Sequence, residues 1–297
     1  MTTRGIGPAA DPQPPAPPGS GRGSRALGNR AVLVSSTSTV LFFAIIAVIV
    51  ALAPGSGIVA ERFFSPFHLW RSLVGSESEP SVLGAFLLNV EIFVVSEVFI
   101  LVLALVIAVV RGIPGPVFFP FRLLAVAYTD LFRGVPLILV LYMIGFGVPG
   151  LGLGFVSYLP DVTYGVIALV LVYSAYVAEV YRAGIESVHE SQNAAARSLG
   201  LSRWQSLRFV VLPQAIRRVI PPLLNDFIGL QKDTALVSVL GSIEAVRAAQ
   251  IYGASQFNYA SYVVAALLFV LITIPLARFT DRLIARDKRR REAGALA

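Results

Sequence analysis

Long apolar runs alternate with short polar segments along most of the 297-residue chain. A helix needs about 20 apolar residues to cross the hydrocarbon core of a membrane. Six stretches reach or approach that length, and we predict a membrane-spanning helix in each of them. They are residues 31–53, 82–110, 118–146, 164–181, 209–230 and 262–279. The pattern therefore predicts an all-α, polytopic membrane protein with about six transmembrane helices.

Two of these runs are interrupted. The sequence DLFRGVP breaks the third run, which becomes strongly apolar only from Val135. The fifth run contains Pro213, Pro221 and Pro222, and each proline removes a backbone donor. We predict a kinked helix there, with the freed carbonyl groups facing protein or a cavity.

The remaining segments are polar. Residues 1–30 are rich in Pro, Gly and Arg without an apolar period, which predicts a disordered cytoplasmic tail. Residues 31–53 would form an extra N-terminal transmembrane helix, although "ALA" at 51–53 leaves open cleavage as a signal peptide. We expect an exterior loop at 54–80, a transmembrane core at 82–281 and a basic cytoplasmic tail at 282–297.

Composition and charge support this picture. The chain is 56% hydrophobic and only 14% charged, whereas soluble domains carry about 25% charged residues. With the N-terminus inside, only Arg62, Arg71, Lys232 and Arg247, out of 24 Lys and Arg residues, fall outside. We therefore predict a multi-pass protein of the plasma or inner membrane with both termini cytoplasmic, and no nucleic-acid partner. No metal site is predicted, because cysteine is absent and His68 and His189 lie far apart in sequence.

A polar insert, SQNAAARSLGLSRWQSLRFVVLP at 191–213, separates two apolar runs and would face the cytoplasm. Ser187 with Glu190 and Ser202 with Gln205 fit capping boxes, and Gly200 suits the left-handed end of a helix. These signals predict two short helices with a sharp corner. The insert is either an amphipathic loop at the membrane interface or a docking element for a cytoplasmic partner.

The insert resembles the "EAA" signature of ATP-binding-cassette (ABC) importer permeases. Ala194, Ala195 and Ala196 stand at the E-A-A positions, Gly200 follows after three residues, and VVLP at 210–213 follows after nine more. Ala194 replaces the usual Glu, and Ser191 the frequent Gly. Further blocks resemble the polar amino acid (histidine/glutamine/glutamate) group of type I importers. They are LFRGVPLILVLY at 131–142, AYVAEVYRAGIESV at 175–188 and LPQAIRRVIPPLLNDFIGLQKDTALVSVLG at 212–241.

This resemblance implies a MetI-like permease core and a transport subunit rather than an enzyme. Its partners would be two ABC ATPase subunits, a second permease subunit and an exterior solute-binding protein that delivers a polar amino acid. The chain would bind no cofactor, because it lacks a GxxxxGK[ST] loop and its partner ATPase would bind ATP and Mg²⁺. The expected coupling helix covers about 191–200, through Ser191, Gln192, Ala194, Ala195, Ala196, Arg197, Leu199 and Gly200.

Ionisable residues inside the spans are costly and suggest a substrate pathway. Glu97, Asp226 and Lys232 are the candidates, although pairing among these groups or contact with the exterior is an alternative. Glu179 and Arg182, three residues apart, are expected to form a structural ion pair. An ATP-independent secondary transporter or channel remains the alternative function, and a membrane scaffold is a further one.

Overall fold

The computed structural model describes the backbone of residues 22–295 and the side chains of residues 34 and 36–286. Over that range the chain is helical, and its one bridge between extended residues joins Ser76 and Glu79. The α-helices are α1 (Arg22–Leu52), α2 (Ser56–Phe64), α3 (Pro66–Val74), α4 (Val82–Gly112), α5 (Phe119–Gly134), α6 (Leu137–Tyr142), α7 (Val148–Gly150), α8 (Asp161–Glu186), α9 (Glu190–Ser198), α10 (Arg203–Ser206), α11 (Leu212–Asp233), α12 (Ala245–Gln256) and α13 (Ala260–Ala295). Short π-helical segments cover Met143–Gly147 and Leu207–Val211, and 3₁₀ segments cover Gly154–Tyr158 and Thr234–Leu240.

The chain divides into two compact units, Met1–Ile58 and Val59–Ala297. In the first unit, α1 begins at Arg22 rather than at residue 31. Residues 22–30 are therefore helical, contrary to the predicted tail, because the helix of the apolar run extends back through them. The rest of the predicted tail, residues 1–21, lies outside the described residues.

Membrane-spanning helices are confirmed as the main building block. Among the described residues, α4, α8 and residues 260–286 of α13 are long and apolar enough to cross a membrane unaided. The number rises to as many as six if each of three bent helix pairs is counted as one span. This range agrees with the all-α, polytopic fold predicted from the sequence.

The third predicted span is two helices rather than one. Phe119–Gly134 and Leu137–Gly150 are bent by 107° relative to each other. Pro136 lacks a backbone N–H, and it drives the preceding Val135 into an extended conformation with φ −98° and ψ 130°. The helix consequently ends at Gly134 and restarts in a new direction.

The proline-containing span is more regular than its sequence suggests. Pro213 lies in the first turn of α11, directly after the π-helical segment Leu207–Val211. The helix then continues through Pro221 and Pro222 without a break. A 54° bend instead separates Arg203–Leu240 from α12, where Gly241 adopts a left-handed φ of 98°. A kink at the prolines stays a prediction.

Helix α8 lies at the centre of the second unit. Of its most apolar window, 56% is buried inside the protein, compared with 33% for α4 and 22% for α13. Its Tyr164, Leu169 and Val177 belong to a core that also includes Ile100 of α4 and Leu230 of α11. The helices surrounding α8 therefore share it as a common packing partner.

A second core lies at the opposite end of the bundle from α9. It joins the start of α4, through Phe86, to Ala248 of α12 and Val264 of α13. Leu69 and Leu73 of α3 pack against it. The segment predicted as an exterior loop at 54–80 is thus largely helical, because α3 has an apolar face that this core buries.

Candidate functional site

Helix α9 carries the predicted coupling element. It begins after His189, whose Nδ1 accepts a hydrogen bond from the Ser191 backbone N–H at 3.2 Å. The predicted capping box of Ser187 with Glu190 is wrong, because Ser187 still belongs to the end of α8. Its Oγ donates to the Gly184 carbonyl at 2.6 Å. The N-cap residue of α9 is therefore His189, two residues after the Ser187 that the sequence predicted.

The end of α9 has the geometry that its sequence predicts. Gly200 has a left-handed φ of 88°, and its N–H donates to the Arg197 carbonyl at 3.0 Å. The Leu201 N–H reaches back to the Ala196 carbonyl at 3.2 Å, which completes a Schellman cap. Helix α10 then starts with the predicted capping box, in which Ser202 and Gln205 exchange hydrogen bonds of 2.8 and 3.3 Å. The two helices meet at a fixed corner.

One side of α9 is anchored to the rest of the protein. Ala196 is buried, and Ser206 donates a hydrogen bond to Asn193 Oδ1 at 2.7 Å, which joins α9 to α10. Arg218 of α11 donates to the Ser187 carbonyl, just before α9. Helix α9 is therefore held by its contact to α10 and, through the segment just before it, by α11.

The other side of α9 is open. Exposure is shared by all the other predicted coupling residues, which are Ser191, Gln192, Ala194, Ala195, Arg197, Leu199 and Gly200. Leu199 is 85% exposed and Trp204 is 67% exposed, so large apolar side chains reach solvent beside the small alanines. Exposed apolar patches of this kind mark contacts with another protein or with a membrane surface.

A π-helical segment links the insert to α11. The Leu212 N–H donates to the Leu207 carbonyl, five residues back rather than four. Gln214 Nε2 also donates to the Val210 carbonyl at 3.0 Å. The wider turn lies where Pro213 supplies no donor, and insertions of this type concentrate at functional positions in helices.

Beside the insert, Glu179 of α8 connects three helices. The predicted pair with Arg182 is confirmed, with a distance of 2.7 Å between Arg182 Nη2 and Glu179 Oε2. Glu179 also forms a salt bridge with Arg111 of α4, and Arg133 of α5 lies 3.8 Å away. Arg182 in turn contacts Glu186 at 2.5 Å. Sequence spacing revealed only the local pair, because Arg111 and Arg133 are distant in sequence.

Of the three predicted pathway residues, the structure brings together Glu97 of α4 and Asp226 of α11. The two carboxylates lie within electrostatic range of each other. Glu97 Oε1 and Asp226 Oδ2 are buried, and neither has a hydrogen-bond partner among the described residues. Glu97 lines a cavity of about 670 Å³, and Asp226 lines another of about 480 Å³. Among the described residues, they are the acidic side chains that have a buried oxygen without a hydrogen-bond partner.

Lys232 does not belong to this pair. It is exposed, lines neither cavity and forms no salt bridge among the residues that the structure describes. The neighbouring Asp233 accepts a hydrogen bond from Tyr173 of α8 at 2.8 Å, an interaction that the sequence did not reveal. Within the described range, no three His, Asp or Glu side chains converge in a group that could hold a metal ion.

Comparison with known proteins defines the class of this helix bundle. The chain belongs to the family described as "Binding-protein-dependent transport system inner membrane component", whose pattern matches residues 117–290. Members are permease subunits of ABC transporters, which are transport components and not enzymes. Such subunits associate with a separate ATPase and a binding protein. The chain is therefore a multi-pass membrane permease, and an ATP-independent transporter is not favoured.

Similar proteins narrow the class to amino acid permeases. The chain is 37% identical over 177 residues to the probable glutamine ABC transporter permease protein GlnM of Bacillus subtilis (strain 168), covering 59% of this chain and 79% of that protein. It is 33% identical over 207 residues to the arginine transport system permease protein ArtQ of the same organism, covering 70% and 92%.

Solved structures of ABC transporters support the same class. A crystal structure of an amino acid ABC transporter with histidines aligns with a TM-score of 0.63 at 32% identity, covering 69% of this chain and 93% of that one. The MetNI methionine ABC transporter aligns with a TM-score of 0.55 at 20% identity, covering 69% and 95%, and shows the shared fold.

Proposed function

We propose that α9 is the element that a soluble ATPase binds. Through this contact, ATP hydrolysis drives the transport of a polar amino acid by the helix bundle. One observation carries this proposal: α9 is capped at both ends and anchored on one side, while its other side exposes Ala194, Ala195 and Leu199. Small side chains let the groove of a partner approach closely. ATP and Mg²⁺ would be bound by that ATPase.

We place the chain in a complex with two ATPase subunits, a second permease subunit and an exterior solute-binding protein. The second permease is a further copy of this chain or a different subunit. The excess of Lys and Arg near α9 and toward both termini supports a cytoplasmic location for all three. The end of the bundle that carries α12 then faces the exterior and receives the binding protein.

The substrate is a polar amino acid, in keeping with relatives named for glutamine and arginine. Glu97 and Asp226 support this proposal because every amino acid carries an ammonium group. An unpaired carboxylate inside a membrane is costly unless a cation balances it. We therefore assign both carboxylates to the substrate pathway, and we leave Lys232 outside it.

The test of coupling is a change on the open side of α9. In Ala195→Glu, the new side chain keeps helix propensity but adds bulk and charge where the ATPase would bind. We expect the variant, purified in detergent with its co-expressed ATPase, to lose both the bound ATPase and substrate-stimulated ATP hydrolysis. Ala285→Glu is the matched control, since Ala285 is an exposed helical alanine of α13 that belongs neither to α9 nor to the end of the bundle proposed to receive the binding protein.

Both variants are first compared with wild type by size-exclusion profile and melting temperature, so that misfolding is separated from loss of contact. Retention of the ATPase and unchanged hydrolysis in a folded Ala195→Glu protein would show that α9 is only a surface loop. Amino acid uptake that continues in vesicles without ATP would favour the secondary transporter instead.

A further inference from the structure

A groove of about 470 Å³ lies between α4 and α8, and it shares no lining residue with the cavities of Glu97 and Asp226. Two of its lining side chains are polar, Glu91 of α4 and Thr163 of α8. The others are apolar, and they are Ile92, Val95, Phe99, Val162, Val166, Ile167, Val170 and Leu171. The groove therefore combines one carboxylate with a long apolar surface.

The depth of Glu91 and Thr163 in the membrane follows from the arginines at the other end of their helices. Arg111 of α4 and Arg182 of α8 both form salt bridges with Glu179, so they mark one level of the bundle. Glu91 lies 20 residues before Arg111, and Thr163 lies 19 residues before the arginine of its own helix. At about 1.5 Å per residue, both separations are close to the roughly 30 Å of the hydrocarbon core. Glu91 and Thr163 therefore reach the opposite boundary of the core, where the lipid headgroups lie.

Glu91 has no partner within the part of the chain that the structure describes. It is exposed, and it forms neither a salt bridge nor a hydrogen bond with a described residue. An unpaired carboxylate at the edge of the hydrocarbon core is costly, and a nearby cation removes much of that cost. The position of Glu91 thus favours a cation at the depth of the lipid headgroups.

The apolar part of the groove runs from Glu91 toward the middle of the membrane. Phe99 lies eight residues beyond Glu91 on α4, and Leu171 lies eight residues beyond Thr163 on α8. Eight residues of helix measure about 12 Å, and half of the hydrocarbon core is about 15 Å thick. The groove consequently follows one leaflet, with its carboxylate at the headgroups and its apolar side chains at the acyl chains.

We propose that this groove binds one phospholipid with a primary ammonium headgroup, phosphatidylethanolamine, from the leaflet on the side away from α9. Its ammonium group, which offers three hydrogen-bond donors, pairs with Glu91. One of its acyl chains lies along Phe99 of α4 and Val166 of α8. Pockets between membrane helices bind lipids whose headgroup charge is opposite to their own. The site depends neither on coupling through α9 nor on which amino acid is carried.

A second apolar groove lacks the feature that selects a headgroup. It has a volume of about 760 Å³, lies between α3 and α13, and is lined by Trp70, Leu268 and Leu271 among other apolar residues. No charged side chain of the described chain lines it. It offers the same apolar surface to the acyl chains of every phospholipid, and it therefore serves as a control within the same protein.

The test compares phosphatidylethanolamine with the same lipid after acetylation of its amine, which removes the ammonium charge and leaves the acyl chains unchanged. Both probes carry a photoreactive diazirine in one acyl chain, and each is added to phosphatidylcholine nanodiscs that contain the full chain. Labelled peptides are quantified by mass spectrometry. We expect peptides around Phe99 and Leu171 to take up the amine probe about threefold or more over the acetylated probe, as one ion pair near water would produce. Peptides of the α3–α13 groove should take up both probes equally.

Two substitutions separate the charge from the apolar surface. In Glu91→Gln the preference for the amine probe should disappear, and Glu77→Gln is its control, since Glu77 is an exposed glutamate outside the groove. Val95→Trp should reduce labelling by both probes, because it fills the groove from a position that is 39% exposed. Val102→Trp, at an exposed position of α4 outside the groove, should leave labelling unchanged.

Equal uptake of the two probes by the wild-type groove would overturn the site, as would an unchanged preference in Glu91→Gln or unchanged labelling in Val95→Trp. A disulfide between two copies of a Val95→Cys protein would also overturn it, because a second permease subunit would then cover the groove. The wild-type comparison needs no substitution, so it remains decisive if a variant does not fold. None of these results touches the ATPase retention measured with Ala195→Glu, so the two proposals fail separately.

Discussion

Gly184 of α8 lies directly against Val219 of α11. A Cβ atom added there would overlap the Cγ2 methyl group of Val219. The two helices, which both line the cavity that Asp226 lines, are thus held at a distance that only glycine permits.

We predict that Gly184→Ala lowers the melting temperature, because overpacking of this kind costs about 1–3 kcal/mol. Adding Val219→Ala should recover most of the loss, since it removes the overlapping methyl groups. Gly112→Ala is the control, because nothing lies within 4 Å of a Cβ at that position. Equal melting temperatures for Gly184→Ala and Gly112→Ala would contradict the close approach.

Glu79 is a second residue whose surroundings decide its behaviour. Burial raises the pKa of Glu79, but hydrogen bonds from Ser255 and Gln256 outweigh it, with the Arg71 charge and Ser76 adding to them. Ser255 Oγ and Gln256 Nε2 both lie 2.6 Å from Glu79 Oε1. The net effect is a pKa below the usual value, and the ionised carboxylate ties the segment before α4 to α12.

A carboxyl group with a lowered pKa stabilises the fold above its unfolded-state pKa, and this stability is lost as pH falls through the folded-state pKa. We therefore predict that wild type melts higher than Glu79→Gln at pH 6 and that the difference shrinks as pH falls below about 4. Melting curves of the two proteins across this range provide the measurement. A difference that does not depend on pH would mean that the charge of Glu79 contributes nothing.

At the level of elements, Glu179 and its partners Arg111, Arg133 and Arg182 form a cluster that joins α4, α5 and α8 at one end of the bundle. Its central carboxylate is 15% exposed, whereas Glu186 at the edge is 61% exposed. Removing a shared, mostly buried partner leaves its arginines uncompensated, while removing an exposed partner has little effect.

We predict that Glu179→Gln lowers stability by roughly 2–4 kcal/mol and Glu186→Gln by less than about 1 kcal/mol. Thermal denaturation in the same detergent at low and moderate salt compares the two. Similar losses in both variants would show that the cluster acts as a surface ion pair and does not join the three helices.

The sequence predicted elements well where one local signal was sufficient. The apolar runs located α4, α8 and α13, and Gly200 with Ser202 and Gln205 located the corner between α9 and α10. The right-angle turn at Val135–Pro136 was visible as a break but not as a change of direction, which depends on packing. Helix α12 was missed, because its burial depends on α4 and α13 and its own sequence has no long apolar run.

At the level of the whole molecule, α9 and α12 lie at opposite ends of the bundle. The chain contains no cysteine, so single cysteines can be introduced without a background. We predict that Ser198→Cys on α9 reacts with a membrane-impermeant maleimide only after cells are permeabilised, whereas Ala254→Cys on α12 reacts in intact cells. The reverse pattern would invert the proposed orientation and remove α9 from the reach of a cytoplasmic ATPase.

The candidate site was only partly predictable from the sequence, because some of its residues come together only when separate helices pack. Glu97 and Asp226 stood out as charges inside apolar runs, and the structure does place them near each other. Arg133 and Arg218, which line the same cavity as Asp226, did not stand out, since each looked like one of many basic residues flanking a span. Their shared cavity exists because α5, α8 and α11 meet there, and no spacing within one segment encodes that meeting.

The position of α9 and α10 in the chain has a mechanical consequence. They connect the end of α8 to the start of α11. Both of these helices line the cavity of about 480 Å³ that Asp226 also lines. Two hydrogen bonds brace this connection. Ser206 is bonded to Asn193, and Arg218 is bonded to the Ser187 carbonyl, so the connection is held in one conformation. A displacement of α9 by a bound partner would therefore be transmitted to both α8 and α11, because the insert is covalently joined to each of them.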